Sequence, residues 1–151
     1  MKLHQVPTPS YVVDETLLRR NVSILKGVAD RTGARILLAQ KAFSMYPLYP
    51  LIAEYLDGTA ASGIHEARLG AEEMGKETHV FSAAYRDDEI RELMQVADHV
   101  VFNSFSQLRR HREVVLAAGK EIGLRINPQC STQEGHAIYD PCSPYSRLGI
   151  T

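Results

Sequence analysis

Short apolar runs alternate with amphipathic segments along this chain, the pattern of an α/β protein built on a parallel sheet. The clearest strand-like runs are 35–40 (RILLAQ), 78–82 (THVFS), 99–103 (HVVFN) and 121–127 (EIGLRIN); a weaker one, 58–62 (GTAAS), has only small side chains. An early apolar run, Tyr11-Val12-Val13, precedes the first helix. That helix spans 14–32, where Leu18, Val22, Leu25 and Val28 or Ala29 recur at helical spacing, and Gly33 follows as its C′ residue. Met74-Gly75 and Ala118-Gly119 end helices in the same way. Asp87, Asp88 and Glu89 place acids in a first turn, where the helix dipole favours them. Ser104 and Gln107 have capping-box spacing and open a helix carrying Leu108 and Val115.

These βα units recur roughly every 20 to 25 residues, as in part of a (β/α)8 TIM-type barrel. A doubly wound sheet gives the same local signals, but no G-x-G-x-x-G turn follows the early strands, which favours the barrel. After Asn127 the pattern breaks into a polar loop, Pro128 to Gln133, and a further element begins at Leu148-Gly149-Ile150-Thr151. Five strands are visible where a closed barrel needs about eight. Residues 1–151 are therefore expected to be the N-terminal portion of a barrel domain, with an unpaired strand edge and exposed apolar surface that favour association.

The near-balanced charge, formally -1, argues against a nucleic-acid partner or a membrane surface. No apolar run approaches the ~20 residues of a membrane-spanning helix, and Met1 to Gln5 lacks a signal peptide's apolar stretch. A soluble cytoplasmic protein is expected. Cys130 and Cys142 are too few for a disulfide framework and have no C-x-x-C partner for zinc. His4, His65, His111 and His136 show no metal-ligand spacing, and His79 and His99 lie at strand beginnings, so no metal site is expected.

The lysines differ in kind. Lys2 is terminal, Lys26 lies on a helix, and Lys76 and Lys120 precede strands, at the N-terminal face of the sheet. Lys41 alone follows an apolar strand directly, at the C-terminal face where barrels carry their active sites. Backed by Leu37, Leu38 and Ala39, its amine is expected to be partly desolvated, which favours the neutral, nucleophilic form. A surface lysine in a loop is the plain alternative. Other polar residues collect at the same strand ends. Ser62 and Gly63 open a helix whose first amides suit a phosphate or carboxylate; Ser82, Tyr85, Asn103, Ser104, Arg125 and Asn127 follow later strands. Ser62 and Ser104 are equally good helix caps, Ser104 more so than a ligand, and Tyr85 can simply pack.

Ala39-Gln40-Lys41-Ala42-Phe43-Ser44 resembles the strand-end lysine motif of the alanine-racemase-like, fold-type III pyridoxal-phosphate enzymes. Within that group the chain is most similar to the carboxynorspermidine (carboxyspermidine) decarboxylases. The similarity is carried by 8–12 (TPSYV), 56–62 (LDGTAAS), 66–70 (EARLG), 81–85 (FSAAY), 102–104 (FNS) with Gln107, 123–128 (GLRINP), 139–142 (YDPC) and 146–150 (SRLGI). The resemblance covers essentially the whole chain. It implies pyridoxal 5'-phosphate as cofactor, Lys41 as its Schiff-base residue, and Arg147 near the cofactor's phenolic oxygen. It also implies removal of the α-carboxylate of carboxynorspermidine or carboxyspermidine to give norspermidine or spermidine in polyamine biosynthesis. The barrel would be followed by a C-terminal β domain, in a homodimer with shared sites. The phosphate and pyridine-nitrogen partners would then lie beyond residue 151, leaving this fragment inactive alone. Sister decarboxylases acting on ornithine or diaminopimelate carry an acid shortly before the second-strand serine, where this chain has Ala60 and Ala61. A non-catalytic pyridoxal-phosphate carrier, another fold-type III decarboxylase, an amino-acid racemase and a Schiff-base aldolase are the competing readings.

Overall fold

The structure is a computed structural model that describes residues 3–132, 135 and 137–151; Lys2 and His136 lie outside them. Five strands, β1 (Leu37–Ala39), β2 (Gly58–Ala61), β3 (Glu77–Phe81), β4 (His99–Phe102) and β5 (Glu121–Leu124), form one parallel sheet in the order β1-β2-β3-β4-β5. The helices between and before them are α1 (Glu15–Thr32), α2 (Tyr49–Ala53), α3 (Ile64–Glu73), α4 (Asp87–Val96) and α5 (Phe105–Ala118). Each strand pairs with its successor, so the order never reverses as it does in a doubly wound sheet. This is the arrangement of consecutive strands around a TIM-type barrel. Beyond β5, Ile150 makes a parallel bridge to Ile126: its N–H donates to the Arg125 carbonyl, and its carbonyl accepts from Asn127 (both 2.8 Å). The element expected from Leu148 onward thus lies along the extension of β5.

Local chemistry explains the element ends. The Asp14 carboxylate accepts the N–H groups of Thr16 and Leu17 (2.8 and 3.1 Å) and starts α1, which Gly33 ends at φ 72°, a left-handed conformation. The Ser104 hydroxyl accepts the Gln107 N–H and starts α5. The Gln107 side chain reaches back one residue further than a capping box requires, accepting from Asn103 N–H at 2.7 Å. Two aspartates just before strands repeat one device. Asp57 accepts the Ile36 N–H and Asp98 the Thr78 N–H, each at 2.9 Å, fastening the start of the preceding strand.

Two expectations need correction. The pattern gave no helix between β1 and β2, yet a 3-10 turn at Tyr46–Leu48 runs into α2. Its prolines, Pro47 and Pro50, sit in first-turn positions that proline tolerates rather than breaks. On α1, Val22 and Ala29 are buried and Leu18 is partly so, but Leu25 and Val28 are exposed. Within this chain α1 has α2 as a helical neighbour, and Leu25 and Val28 remain 41% and 38% exposed beside it.

The core lies between the sheet and the helices. Val80, Val100 and Phe102 alternate outward from β3 and β4 onto Ile90, Leu93 and Met94 of α4 and Val115 of α5. A second cluster joins Val22, Tyr49, Leu51, Ile52 and Leu56. Tyr85 ties the C-terminal ends of β3 and β4 together: its buried hydroxyl accepts the Ser82 N–H (2.9 Å) and faces the carbonyls of Val101 (3.0 Å) and Val80 (3.2 Å). Burial raises its phenol pKa above the ordinary value. The other sheet face carries Glu77, His79 and Phe81 of β3, with His99 and Val101 of β4 in register, all only half-buried. Among the described residues no helix is long and apolar enough to cross a membrane.

Gly58 of β2 pairs with Glu77 of β3, where a Cβ would collide with the Glu77 carbonyl. Gly58→Ala is expected to cost about 1–3 kcal/mol, seen as a lower denaturant midpoint at unchanged m-value in the full-length protein.

Candidate active site

The C-terminal ends of the parallel strands bring several polar side chains to one place. The ladder between β1 and β2 continues through Gln40, whose N–H donates to the Ala60 carbonyl at 3.1 Å, so Lys41 leaves the sheet directly beyond that bond. Lys41 then lines a cavity of about 450 Å³ together with Ser62, Phe81, Ser82, Ala83, Ala84, Arg125, Arg147 and Leu148. Lys41 and Arg147, far apart in sequence, share this cavity. Among the described residues the Lys41 amine has no hydrogen-bond or ion-pair partner. The expected desolvation is not met within this chain: Lys41 is exposed. Phe81 and Leu148 also line the cavity, among serines, alanines and arginines, but Leu38 turns away into the helix-facing core.

Arg125 is held by its guanidinium lying 4.6 Å from the centre of the Phe81 ring. Arg147 is held through its backbone. The Asn103 side-chain amide donates to the Arg147 carbonyl at 2.8 Å, and its oxygen accepts the Gly149 N–H at 2.7 Å. One asparagine on β4's end thus straps the 147–149 segment beside the cavity. Asn127, buried, accepts the Gln129 N–H and orders the turn after β5. A larger opening of about 700 Å³ is lined by residues of the 138–148 loop, sharing Arg147 and Leu148 with the first. Among the described residues that line it there is no lysine.

Other expected site residues have structural roles. The Ser62 N–H already donates to the Glu66 carboxylate at 2.6 Å, so the anion at the start of α3 is the chain's own. Ser104 is a cap, and Tyr85 a buried tie. Lys76 donates to the Leu56 carbonyl (2.9 Å) at the opposite end of the sheet. His111 is a core histidine, 2% exposed, between the Tyr85 carbonyl and Asp87. The roles of Asn103 and Phe81 were not expected from sequence beyond their place at strand ends, because both depend on what lies across the sheet. At the far, N-terminal end, a hydrogen bond with His79 and then Arg35 hold the Glu77 carboxyl below its usual pKa range.

No family model matches the chain. It is 38% identical over 149 residues to carboxyaminopropylagmatine decarboxylase of Synechocystis sp., covering 99% of this chain and 38% of that protein. It is 40% identical over 144 residues to the carboxynorspermidine/carboxyspermidine decarboxylase of Herminiimonas arsenicoxydans, covering 95% of this chain and 39% of that protein. The solved structure of carboxynorspermidine decarboxylase from Campylobacter jejuni, complexed with norspermidine, superposes with a TM-score of 0.84 at 35% identity, over 96% of this chain and 36% of that one. D-threonine aldolase of Filomicrobium marinum (TM-score 0.71, 19% identity, 89% of this chain and 39% of that one) shares the fold. The resemblance read from the sequence is thus borne out by relatives carrying those names. The chain spans a little over a third of the length of the curated relatives it matches.

If Asn103 holds the strap, Asn103→Ala removes two hydrogen bonds worth about 1–3 kcal/mol together. Amide exchange at Gly149 should then accelerate by roughly 10- to 100-fold, measured by hydrogen-exchange mass spectrometry on the full-length protein.

Proposed function

We propose that this chain is the N-terminal barrel portion of a pyridoxal-phosphate-dependent carboxy-lyase. Its substrate class is the carboxylated polyamines, carboxynorspermidine or carboxyspermidine, and its products are norspermidine or spermidine. The observation that carries the reading is the meeting of Lys41 and Arg147 in one cavity at the C-terminal ends of parallel strands. The names of the relatives at 38% and 40% identity support the decarboxylase class. Carboxyaminopropylagmatine, named for one of them, keeps the substrate within the same chemical type: a polyamine bearing an α-amino carboxylate.

The donor set fits the cofactor. A primary amine with no competing partner among the described residues suits an aldehyde, and two guanidinium groups suit the anionic oxygens around it. When bound, pyridoxal phosphate supplies the electron sink for loss of carbon dioxide. Lys41 is the residue that would hold it, through its primary amine. Arg147, its backbone held by Asn103, would offer its guanidinium to the phenolic oxygen. Arg125, stacked on Phe81, keeps a permanent positive charge over the same cavity and favours anionic groups entering it. The phosphate cup and the partner of the pyridine nitrogen are assigned to the remainder of the protein, with a C-terminal β domain and a homodimeric, cytoplasmic assembly.

Two outcomes follow. In the full-length protein, wild type should show visible absorbance from bound pyridoxal phosphate, and borohydride reduction should leave the cofactor mass on the peptide containing Lys41. Lys41→Ala should lose both, and decarboxylation of carboxynorspermidine with them; a Lys41→Ala protein that keeps the absorbance overturns the assignment. Residues 1–151 expressed alone should release no carbon dioxide from that substrate.

A further inference from the structure

At the other end of the same sheet face, His79 and His99 stand opposite each other in β3 and β4. Their rings stack with centroids 3.9 Å apart and planes 15° from parallel. The Glu77 Oε2 atom lies 3.1 Å from His79 Nε2 and 3.8 Å from His99 Nε2. All three ligand atoms fall within 4.8 Å of one another. We propose that Glu77, His79 and His99 form a binding site for a divalent transition-metal ion of the zinc type, at the sheet end opposite Lys41.

Three features make this more than a chance cluster. Zinc binds imidazole nitrogen and carboxylate oxygen at about 2.0–2.2 Å in tetrahedral geometry, which spaces ligand atoms at roughly 3.3 Å; the two distances to Glu77 bracket that value. His99 Nδ1 lies 2.9 Å from Glu121 Oε2, which favours the proton on Nδ1 and leaves Nε2 as the ligand atom. An ion taken up here replaces the His79–Glu77 hydrogen bond and turns the two stacked rings out of parallel, so that both lone pairs converge on it. A carboxylate behind a histidine is the usual outer partner of a metal-bound imidazole. On the third ligand, Arg35 holds Glu77 Oε1 at 2.5 Å, leaving Oε2 for the imidazoles. Two nitrogens and one oxygen suit zinc and its first-row neighbours rather than magnesium or calcium. The fourth position is left for water or another donor. An ion here joins β3 to β4 directly and to β5 through Glu121. The two histidines stand twenty positions apart in the chain, which hid the site from spacing rules, because parallel register, not chain proximity, makes it.

The test uses the full-length protein, stripped with a chelator and titrated with zinc alone against a chromophoric chelator. Wild type should bind one equivalent per chain at this site and melt at a higher temperature with zinc present. The His79→Ala/His99→Ala double variant should lose that equivalent. Glu121→Gln changes an exposed side chain and keeps the fold; it should weaken zinc binding by roughly 10- to 100-fold. Lys41→Ala should bind zinc as wild type does, which separates this site from the cofactor cavity. Cobalt in place of zinc should give visible bands without thiolate charge transfer. No zinc bound by wild type, zinc retained by the double variant, unchanged affinity in Glu121→Gln, or a thiolate signal from Cys130 or Cys142 each overturns the proposal.

Discussion

The structure depends on one constraint: helices cover a single face of a parallel sheet whose strands follow one another in chain order. Val80, Val100 and Phe102 are driven into the helix layer by burial of apolar surface. Strand alternation then forces Glu77, His79, Phe81, His99 and Val101 to the other face. Among the described residues, the groups of the candidate site and of the histidine cluster lie on that second face or at its rims. The core does not contain the site; it decides which side of the strands the site can occupy.

Direction adds the second half of the arrangement. Because all strands run the same way, their C-terminal ends gather Lys41, Ser62, Ser82 and Arg125, and their N-terminal ends gather Glu77, His79, His99 and Glu121. Loops at one rim are long enough to wrap a cavity. At the other rim Asp57 and Asp98 fasten strand starts with short bonds. The Asn103 strap belongs to the first rim. It fixes Arg147 by gripping the backbone on both sides of Leu148, so the position of the guanidinium depends on an amide far away in sequence.

Much of this was legible in the chain. The apolar runs gave the five strands, including the small-residue run at Gly58, and Asp14, Gly33 and Ser104 marked helix ends through chemistry confined to a few residues. Lys41 stood out because only it follows an apolar run directly. What was hidden rests on contacts between distant segments. The exposure of Lys41 depends on what lies across an open cavity, and that of Leu25 and Val28 on which elements pack on α1. The anion expected at the start of α3 was already present as Glu66, visible in the sequence but ambiguous there, since a glutamate in a first turn also serves the helix dipole. The histidine pair required the register of β3 against β4.

Gly58 has a consequence beyond packing. It lets the backbone of Glu77 approach β2 closely, and the same residue's carboxylate reaches His79 and His99. The glycine therefore acts as a datum from which the carboxylate's height above the sheet is measured. A side chain there would displace the Glu77 backbone, and the long glutamate side chain would have to absorb the shift. Steric tolerance at one position of β2 is in this way coupled to electrostatic geometry on β3, and a change at the glycine would be read out first in how the carboxylate meets the two imidazoles.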